Sequence, residues 1–472
     1  MTVRTLALAI TAALLAGCAL EPTYMRPAPP VPVALPKGPA YGAPTDVPVA
    51  DWRQVFPDPK LRAVIEQALA NSRDLRVAIA QILASRAEYH VQRAAFLPTI
   101  DASVGASTGR DYTGLPASFG SEYANSTIYS TSVGTTAYEL DLFGHVRSLT
   151  KAALQTYLAT EEARRSTQIS LVAEVATDYL TFASDTSLLG VSKNTVTSAE
   201  ANFDLARRRL AGGVASQLDV SSAQTIVEQA KDDVARYTTL VAQDKNALDL
   251  VVGAPVSPEN LPSGVDDAAF RLGAVPGALD SRILLQRPDV LEAEHTLRSA
   301  NANIGAARAA FFPTISLTAS GGSEGASVSS LFSGRSGIWS FAPTISVPIF
   351  DGGANKGNLD YAKAEDRIDV AQYEKAIQTA FREVADALAQ RGTIAERLRA
   401  QRSQVAAAAE SLHLAEALYA RGSDSYLDVL TAQRTYYSAQ QSLIAVQLIG
   451  AANVVTLYKV LGGALTDRNS GA

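Results

Sequence analysis

The chain has 472 residues, of which 47% are hydrophobic and 19% are charged, and its formal net charge is −6. A net negative charge without a basic cluster argues against nucleic acid as a partner. A mean hydropathy near zero excludes a disordered chain and a bundle of membrane helices. The length favours an elongated or divided molecule over one compact core.

The first 17 residues are predicted to form a signal peptide, with a positive charge at Arg4 and a short apolar run that ends before Cys18. The sequence LAGC that ends at Cys18 resembles a bacterial lipobox. This predicts cleavage before Cys18, a diacylglycerol on its thiol and an acyl group on the new amine. Cys18 is the only cysteine, so an intramolecular disulfide is impossible. By resemblance to bacterial lipoproteins, Ala19 indicates sorting to the outer membrane. The alternative is an ordinary cleavage site beside a chance cysteine.

Residues 18–60 are predicted to form a Pro-rich tether followed by an equatorial segment. An amphipathic helix then begins near residue 61, with an interruption expected at 71–74. It continues to about Phe96, because Pro98 disfavours helix in the residue before it. From there the hydrophobic period changes to two, which is typical of a strand.

The helix-to-strand junction occurs twice. Residues 93–100 and 308–315 match in seven of eight positions, which indicates a duplication at the scale of a domain. Each junction opens a predicted β-hairpin, at about 98–140 and 313–350. Two features weaken the pattern: Pro343 is unfavourable in a paired strand, and the strand after residue 127 alternates poorly.

One chain would therefore supply four strands of about 10 residues, roughly the length that crosses a membrane. Four strands cannot close a barrel, and an open sheet edge is not tolerated in lipid. Three chains would supply twelve strands. Counting strands thus predicts that several chains close the barrel together.

Two stretches without proline, 145–210 and 354–420, predict long helices. At a rise of 1.5 Å per residue, each would be about 100 Å long, which is typical of coiled-coil or tubular packing. Return helices are predicted at 217–253 and 425–462.

The predicted organisation is a pair of repeats. Repeat 1 covers 61–253 and repeat 2 covers 281–462. A connection rich in proline, 254–280, separates them, and 463–472 is a polar tail.

Several segments together resemble one family. They are the lipobox with its tether, the stretch at 287–317, Trp339, the sequence PIFDGG at 348–353, and YARGSDSYLDVLTAQR at 419–434. They are similar to the TolC/OprM superfamily of outer-membrane efflux channels, in its NodT-type lipoprotein branch. The resemblance implies a membrane α+β fold. In it, three chains form a twelve-stranded outer-membrane β-barrel that continues into a long periplasmic α-helical barrel.

The resemblance also implies a function. Such a chain is a passive exit duct of a tripartite efflux system and not an enzyme. Its expected partners are two further copies of itself, a periplasmic adaptor, an inner-membrane pump of the resistance-nodulation-division class, and outer-membrane lipid. No cofactor is implied beyond the covalent lipid on Cys18.

The resemblance places a gate at the periplasmic turns between the long and return helices. It assigns Tyr419, Asp428 and Arg434 to the aperture, with Asp219 as the equivalent of Asp428 in the first repeat. Three copies of an aspartate near an axis would form a negative ring that favours cations. Thr431 stands where many relatives carry a second Asp, so one ring is expected to be missing. The alternative is that the two aspartates only favour helix N-termini and that Tyr419 only packs.

Other function classes find less support. The G-x-S-x-G sequences at 105–109 and 321–325 lie between predicted strands, whereas a nucleophile elbow joins a strand to a helix. The four histidines lack the spacing of metal ligands. A non-channel outer-membrane lipoprotein with a coiled-coil spacer or adaptor role remains the alternative. It explains the helices and Cys18 but not the two hairpins.

Overall fold

The computed structural model describes residues 20–41, 52–112, 123–265 and 281–463. Cys18 and its lipobox lie outside the described residues. The chain divides into two compact units, each of which is described by itself below. Among the described residues, unit 1 comprises 20–27, 81–112, 123–160 and 293–373, and unit 2 comprises 28–41, 52–80, 161–265, 281–292 and 374–463.

Helices dominate the described chain. In chain order they are α1 (Trp52–Val55), α2 (Pro59–Asn71), α3 (Arg73–Ala94), α4 (His145–Ala211), α5 (Gln217–Val252), α6 (Pro288–Ala309), α7 (Ala354–Ala420) and α8 (Tyr426–Val460). Short 3₁₀ helices lie at Pro258–Asn260, Ser281–Gln286 and Val328–Phe332. The two stretches without proline form the two helices of 67 residues, α4 and α7.

Local sequence explains where several helices begin and end. Asp58 caps α2 by accepting a hydrogen bond from the Lys60 amide at 3.0 Å, and Pro59 occupies the first turn, where no amide donor is needed. The break between α2 and α3 falls at Ser72. Gly253 ends α5 with a φ of 75°, a left-handed conformation that glycine adopts without strain.

Unit 1 contains a four-stranded antiparallel sheet in the order β1-β2-β3-β4. The strands are β1 (Asp101–Tyr112), β2 (Tyr123–Glu139), β3 (Thr314–Gly325) and β4 (Gly337–Ser346). Pro343 pairs with Leu317 in β4, which is an edge strand of the sheet in this chain.

Strand β2 is irregular near its C-terminal end. Its register against β3 shifts between Thr135 and Tyr138, and Ala137 adopts a φ of 55°. This is a β-bulge, which displaces the side chains beyond it from the regular in-and-out order.

Unit 2 is organised around an apolar core between helices α1, α2, α4, α5 and α8. Its largest fully buried side chains include Phe56, Ile65, Tyr179, Leu180, Leu248 and Leu457. The Tyr179 hydroxyl donates to Asp58 at 3.2 Å, so this aromatic ring is buried with its polar end satisfied. Among the described helices, α8 alone is long and apolar enough to cross a membrane, and half of its most apolar window is buried within the chain. That burial matches its place in the core.

Candidate functional site

The sheet has one face of small polar side chains. We call it the hydroxyl face. Its small side chains are those of Ser103, Gly105, Ser107, Ser130, Ser132, Gly134, Thr318, Ser320, Gly322, Ser340, Ala342 and Thr344, and the same register also places Asp101, Ile128, Glu324 and Ile338 on this face. Two serine pairs bond across neighbouring strands, Ser103 with Ser132 and Ser320 with Ser340, at 2.8 Å each. Such a face is suited to contact with water.

The opposite face of the sheet is apolar and exposed in this chain. Its large side chains are Val104, Val133, Trp339, Phe341 and Ile345, and each is more than half exposed. An exposed apolar surface of this kind marks a membrane or a protein interface. Polar residues on one face and apolar ones on the other are the pattern of a membrane-crossing β-barrel wall.

Strands β2 and β3 approach each other closely on the hydroxyl face. A Cβ added at Gly134 would lie 2.3 Å from the Ala319 carbonyl oxygen, and one at Gly322 would lie 2.0 Å from the Thr131 oxygen. No side chain can be accommodated at either position without moving backbone. These two glycines are therefore required by the sheet.

The second candidate region is where α4 and α7 end and the return helices begin, within unit 2. We call Arg209, Asp219, Tyr419 and Tyr426 the turn cluster. Nη1 of Arg209 donates to the Tyr419 carbonyl at 2.6 Å, and the guanidinium carbon lies 4.3 Å from the centroid of the Tyr419 ring. The rings of Tyr419 and Tyr426 are 5.3 Å apart. The two turns are thus fastened to each other by a charge-assisted hydrogen bond and a cation–π contact.

Tyr419 is buried, and its hydroxyl has no hydrogen-bond partner among the described residues. Burial raises the pKa of Tyr419, with Arg209 acting in the opposite direction. Burial, with a smaller contribution from the neighbouring Tyr419, also raises the pKa of Tyr426 to about 12. Both rings therefore remain neutral at physiological pH.

The two predicted aspartates lie in the first turns of the return helices, three residues after the N-cap serines Ser216 and Ser425. The Asp219 carboxylate accepts from the Ser216 amide at 2.8 Å, and the Ser216 hydroxyl accepts from the Asp219 amide at 3.1 Å, forming a capping box. The exposed Asp428 accepts from the Ser425 hydroxyl at 2.6 Å, which together with Asp424 lowers the pKa of Asp428. Both carboxylates thus have a structural role at a helix start.

The remaining predicted positions make fewer contacts. Arg434 is exposed and makes no hydrogen bond or ion pair within the described chain. Thr431 donates its hydroxyl to the Leu427 carbonyl at 2.8 Å in its own helix. Because its side chain is uncharged, it could not contribute to a ring of negative charge. Of the four predicted gate residues, only Tyr419 and Asp219 belong to the turn cluster.

Arg209 and Tyr426 belong to the turn cluster but are not among the residues predicted from sequence. The three consecutive arginines at 207–209, just before Gly212 and Gly213, were the available signal, because cations are favoured in the last turn of a helix. Nothing in that signal identifies Tyr419 as the partner. No group of three or more His, Cys, Asp or Glu side chains in the described residues is placed to hold a metal ion.

The fold and the sheet define a class of protein. The model of the family described as "Outer membrane efflux protein" matches residues 64–254 and 279–463. The chain belongs to this family of outer-membrane transport channels. The family is one of channels and not of enzymes.

Relatives across the full length agree. The chain is 49% identical over 470 residues to the probable efflux pump outer membrane protein TtgC of Pseudomonas putida, covering 98% of this chain and 96% of that protein. It is 41% identical over 456 residues to the outer membrane protein OprJ of Pseudomonas aeruginosa, covering 97% and 95%.

Solved structures have the same fold. The open state of the Neisseria gonorrhoeae outer membrane channel MtrE matches with a TM-score of 0.86 and 35% identity, covering 95% of this chain and 99% of that one. A membrane protein from Pseudomonas aeruginosa matches with a TM-score of 0.85 and 40% identity, covering 95% and 98%. The predicted family and efflux function are therefore confirmed.

Proposed function

We propose that three copies of this chain form the outer-membrane exit duct of a tripartite efflux system. The observation that carries the proposal is the sheet of unit 1. It has a hydroxyl face suited to a water-filled lumen, an apolar face suited to lipid, and two edges, β1 and β4, that have no partner strand among the described residues. Since an open edge is not tolerated in lipid, the sheet needs further copies to close. Three copies give twelve strands.

The sheet also argues against the spacer or adaptor alternative. A coiled-coil spacer needs the helices but gives no role to a sheet with an exposed apolar face. The proposed barrel uses both of its faces and both of its edges.

In this duct the chain supplies the passage and the pump supplies the energy. The proposed partners are a periplasmic adaptor and an inner-membrane pump of the resistance-nodulation-division class. The relatives named TtgC include one described as a toluene efflux pump outer membrane protein, at 48% identity. We propose apolar solvents of this kind as cargo.

The turn cluster is the proposed gate at the periplasmic end. Arg209 and Tyr419 join the two turns of one chain, and opening would require this contact to shift. In the trimer, three copies of the exposed Asp428 would supply a negative ring. Its low pKa keeps that ring charged at neutral pH.

The membrane anchor is proposed from the sequence around Cys18. Several acyl chains on one residue anchor a protein far more firmly than a single chain does. Replacement of Cys18 by alanine should abolish incorporation of labelled palmitate into the protein. Undiminished labelling of Cys18→Ala would rule out this anchor.

The duct is tested on protein extracted from outer membranes. We expect a trimer by native mass spectrometry, a shift in electrophoretic mobility on heating, and single-channel conductance in planar bilayers. A monomer without conductance would refute the duct and restore the spacer alternative. Loss of toluene tolerance on deletion of the gene tests the cargo separately.

A further inference from the structure

Unit 1 contains a buried carboxylate whose partners come from the N-terminal segment. Glu294 of α6 is only 2% exposed. Arg26 donates to both of its oxygens, from Nε to Oε1 at 2.9 Å and from Nη2 to Oε2. The Tyr24 hydroxyl donates to Oε1 at 3.3 Å, and Arg298, one turn along α6, donates to the same oxygen at 2.6 Å. Two of the three donor residues thus belong to residues 20–26, which we call the strap.

The strap also contacts the rest of α6 and the start of α4. The Arg298 guanidinium carbon lies 5.0 Å from the centroid of the Tyr24 ring. Glu21 accepts from Nζ of Lys151 at 2.6 Å, and the Leu20 carbonyl accepts from Arg308 at 3.0 Å. The strap therefore has charged contacts at both of its ends.

A glycine in α6 makes room for the strap. A Cβ added at Gly305 would lie 3.0 Å from the Glu21 Cα and 2.6 Å from the Ser148 hydroxyl oxygen. The helix surface beneath Glu21 is thus shaped for close approach by the strap backbone.

The contacts between the strap and α6 occur in opposite order along the two segments. Arg26 meets position 294, Tyr24 meets 298, Glu21 approaches 305 and Leu20 meets 308. From 294 to 308 the helix rises about 21 Å at 1.5 Å per residue. Six extended residues span about 20–22 Å. The strap is therefore extended and antiparallel to α6, without slack.

Glu294 depends on the strap for most of its hydrogen bonds. Without the strap, Glu294 would retain only Arg298 among the donors described, and a buried carboxylate is unfavourable when its hydrogen bonds are missing. Glu294 has a lowered pKa because the hydrogen bonds from Arg26 and Tyr24, with the charges of both arginines, outweigh the effect of burial. The site is thus complete only with the strap in place.

We propose that the strap is an intramolecular latch, held through Arg26 and Glu294, that fixes where the N-terminal chain leaves unit 1. The exit point lies at Arg308, at the end of α6 that leads into β3. Any anchor attached upstream of the strap is thereby delivered beside the start of a membrane strand. The latch does not depend on Cys18 carrying lipid.

Proteolysis of the full-length protein tests the latch. Chymotrypsin cleaves after Tyr24, and the half-buried ring should protect this bond while the strap is docked. Loss of a charged hydrogen-bonded pair should raise the cleavage rate at least about tenfold in Arg26→Ala and in Glu294→Gln. Each rate is divided by the rate for the same variant unfolded in urea, which removes effects of sequence on the protease.

Two further variants keep the test specific. Arg26→Lys retains the charge but not the planar fork, and should give an intermediate rate. Lys231→Ala is the matched control, because it removes an exposed ion pair with Glu200 in unit 2 and should leave the strap protected. Rapid cleavage of the wild-type strap would overturn the proposal. So would rates in Arg26→Ala and Glu294→Gln no higher than in Lys231→Ala.

Discussion

Two adjacent glycines in β3 allow a sharp test of the sheet. Gly321 and Gly322 point to opposite faces. A Cβ at Gly322 would lie 2.0 Å from the Thr131 carbonyl oxygen, whereas a Cβ at Gly321 meets nothing within 4 Å in this chain. The same change to alanine should therefore have opposite effects at the two positions.

The magnitudes follow from these contacts. Gly322→Ala forces the β2 and β3 backbones apart, and overpacking of this kind costs about 1–3 kcal/mol. Gly321→Ala relieves the entropic disadvantage of glycine in a strand and should stabilise by about 0.5–1 kcal/mol. Urea unfolding of the purified protein in detergent, followed by loss of the heat-modifiable band, measures both.

The control within this pair is Gly321→Ala, since it adds the same methyl group one residue away. Equal shifts of the unfolding midpoint for both variants would refute the close approach of β2 and β3. A stabilising Gly322→Ala would refute it more strongly.

Three other predictions concern helices of unit 2. Arg209→Ala should raise the open probability in planar bilayers and lower stability by about 1–2 kcal/mol, through loss of the cation–π contact and the charged hydrogen bond; an unchanged open probability would leave Arg209 a packing residue. Asp428→Ala should weaken block of the channel by multivalent cations, and unaltered block would reduce Asp428 to a residue that favours the start of α8. Asp244 has a pKa raised to about 6 by burial and by Asp185, so ionisation destabilises the fold. Asp244→Asn should therefore raise the free energy of unfolding by about 1 kcal/mol at pH 8, after discounting for solvent screening. This gain should vanish as the pH falls from 6 towards 4, where Asp244 becomes protonated. A gain in stability that is independent of pH would contradict this.

Much of the fold could be predicted because its signals are local. A proline disfavours helix in the residue before it whatever the tertiary contacts, so Pro98 and Pro313 mark helix ends. The hydrophobic period also changes from 3.6 to 2 at both junctions. The described strands begin within a few residues of these prolines, at Asp101 and Thr314. A stretch without proline or clustered glycine has no local reason to stop being helical.

Other features depend on partners that are distant in sequence. The bulge at Ala137 arises from the pairing of β2 with β3, which sequence periodicity within β2 cannot reveal. Arg209 meets Tyr419 across 210 residues. Glu294 is separated from Arg26 by 268 residues, and nothing in the helical pattern of α6 marks it as buried. Local propensity carries no information about such pairs.

The candidate gate also has features that follow from local sequence and features that depend on distant partners. The aspartates were predicted in two ways, as gate residues and as residues that favour helix starts. The capping box of Asp219 and the Ser425 bond of Asp428 account for the second interpretation by contacts within three residues. The gate role depends on other chains, so its test is functional.

The two edges of the sheet have a genetic consequence. In the proposed trimer the barrel wall is shared among three chains, so one copy with a damaged β1 or β4 leaves one seam unsealed and spoils the barrel for the two sound copies as well. A cell that makes equal amounts of normal and defective chains would assemble only about one in eight trimers from normal chains alone, if mixing is random. Alleles that damage β1 or β4 without preventing assembly should therefore be dominant. Alleles that prevent the chain from folding at all should be recessive.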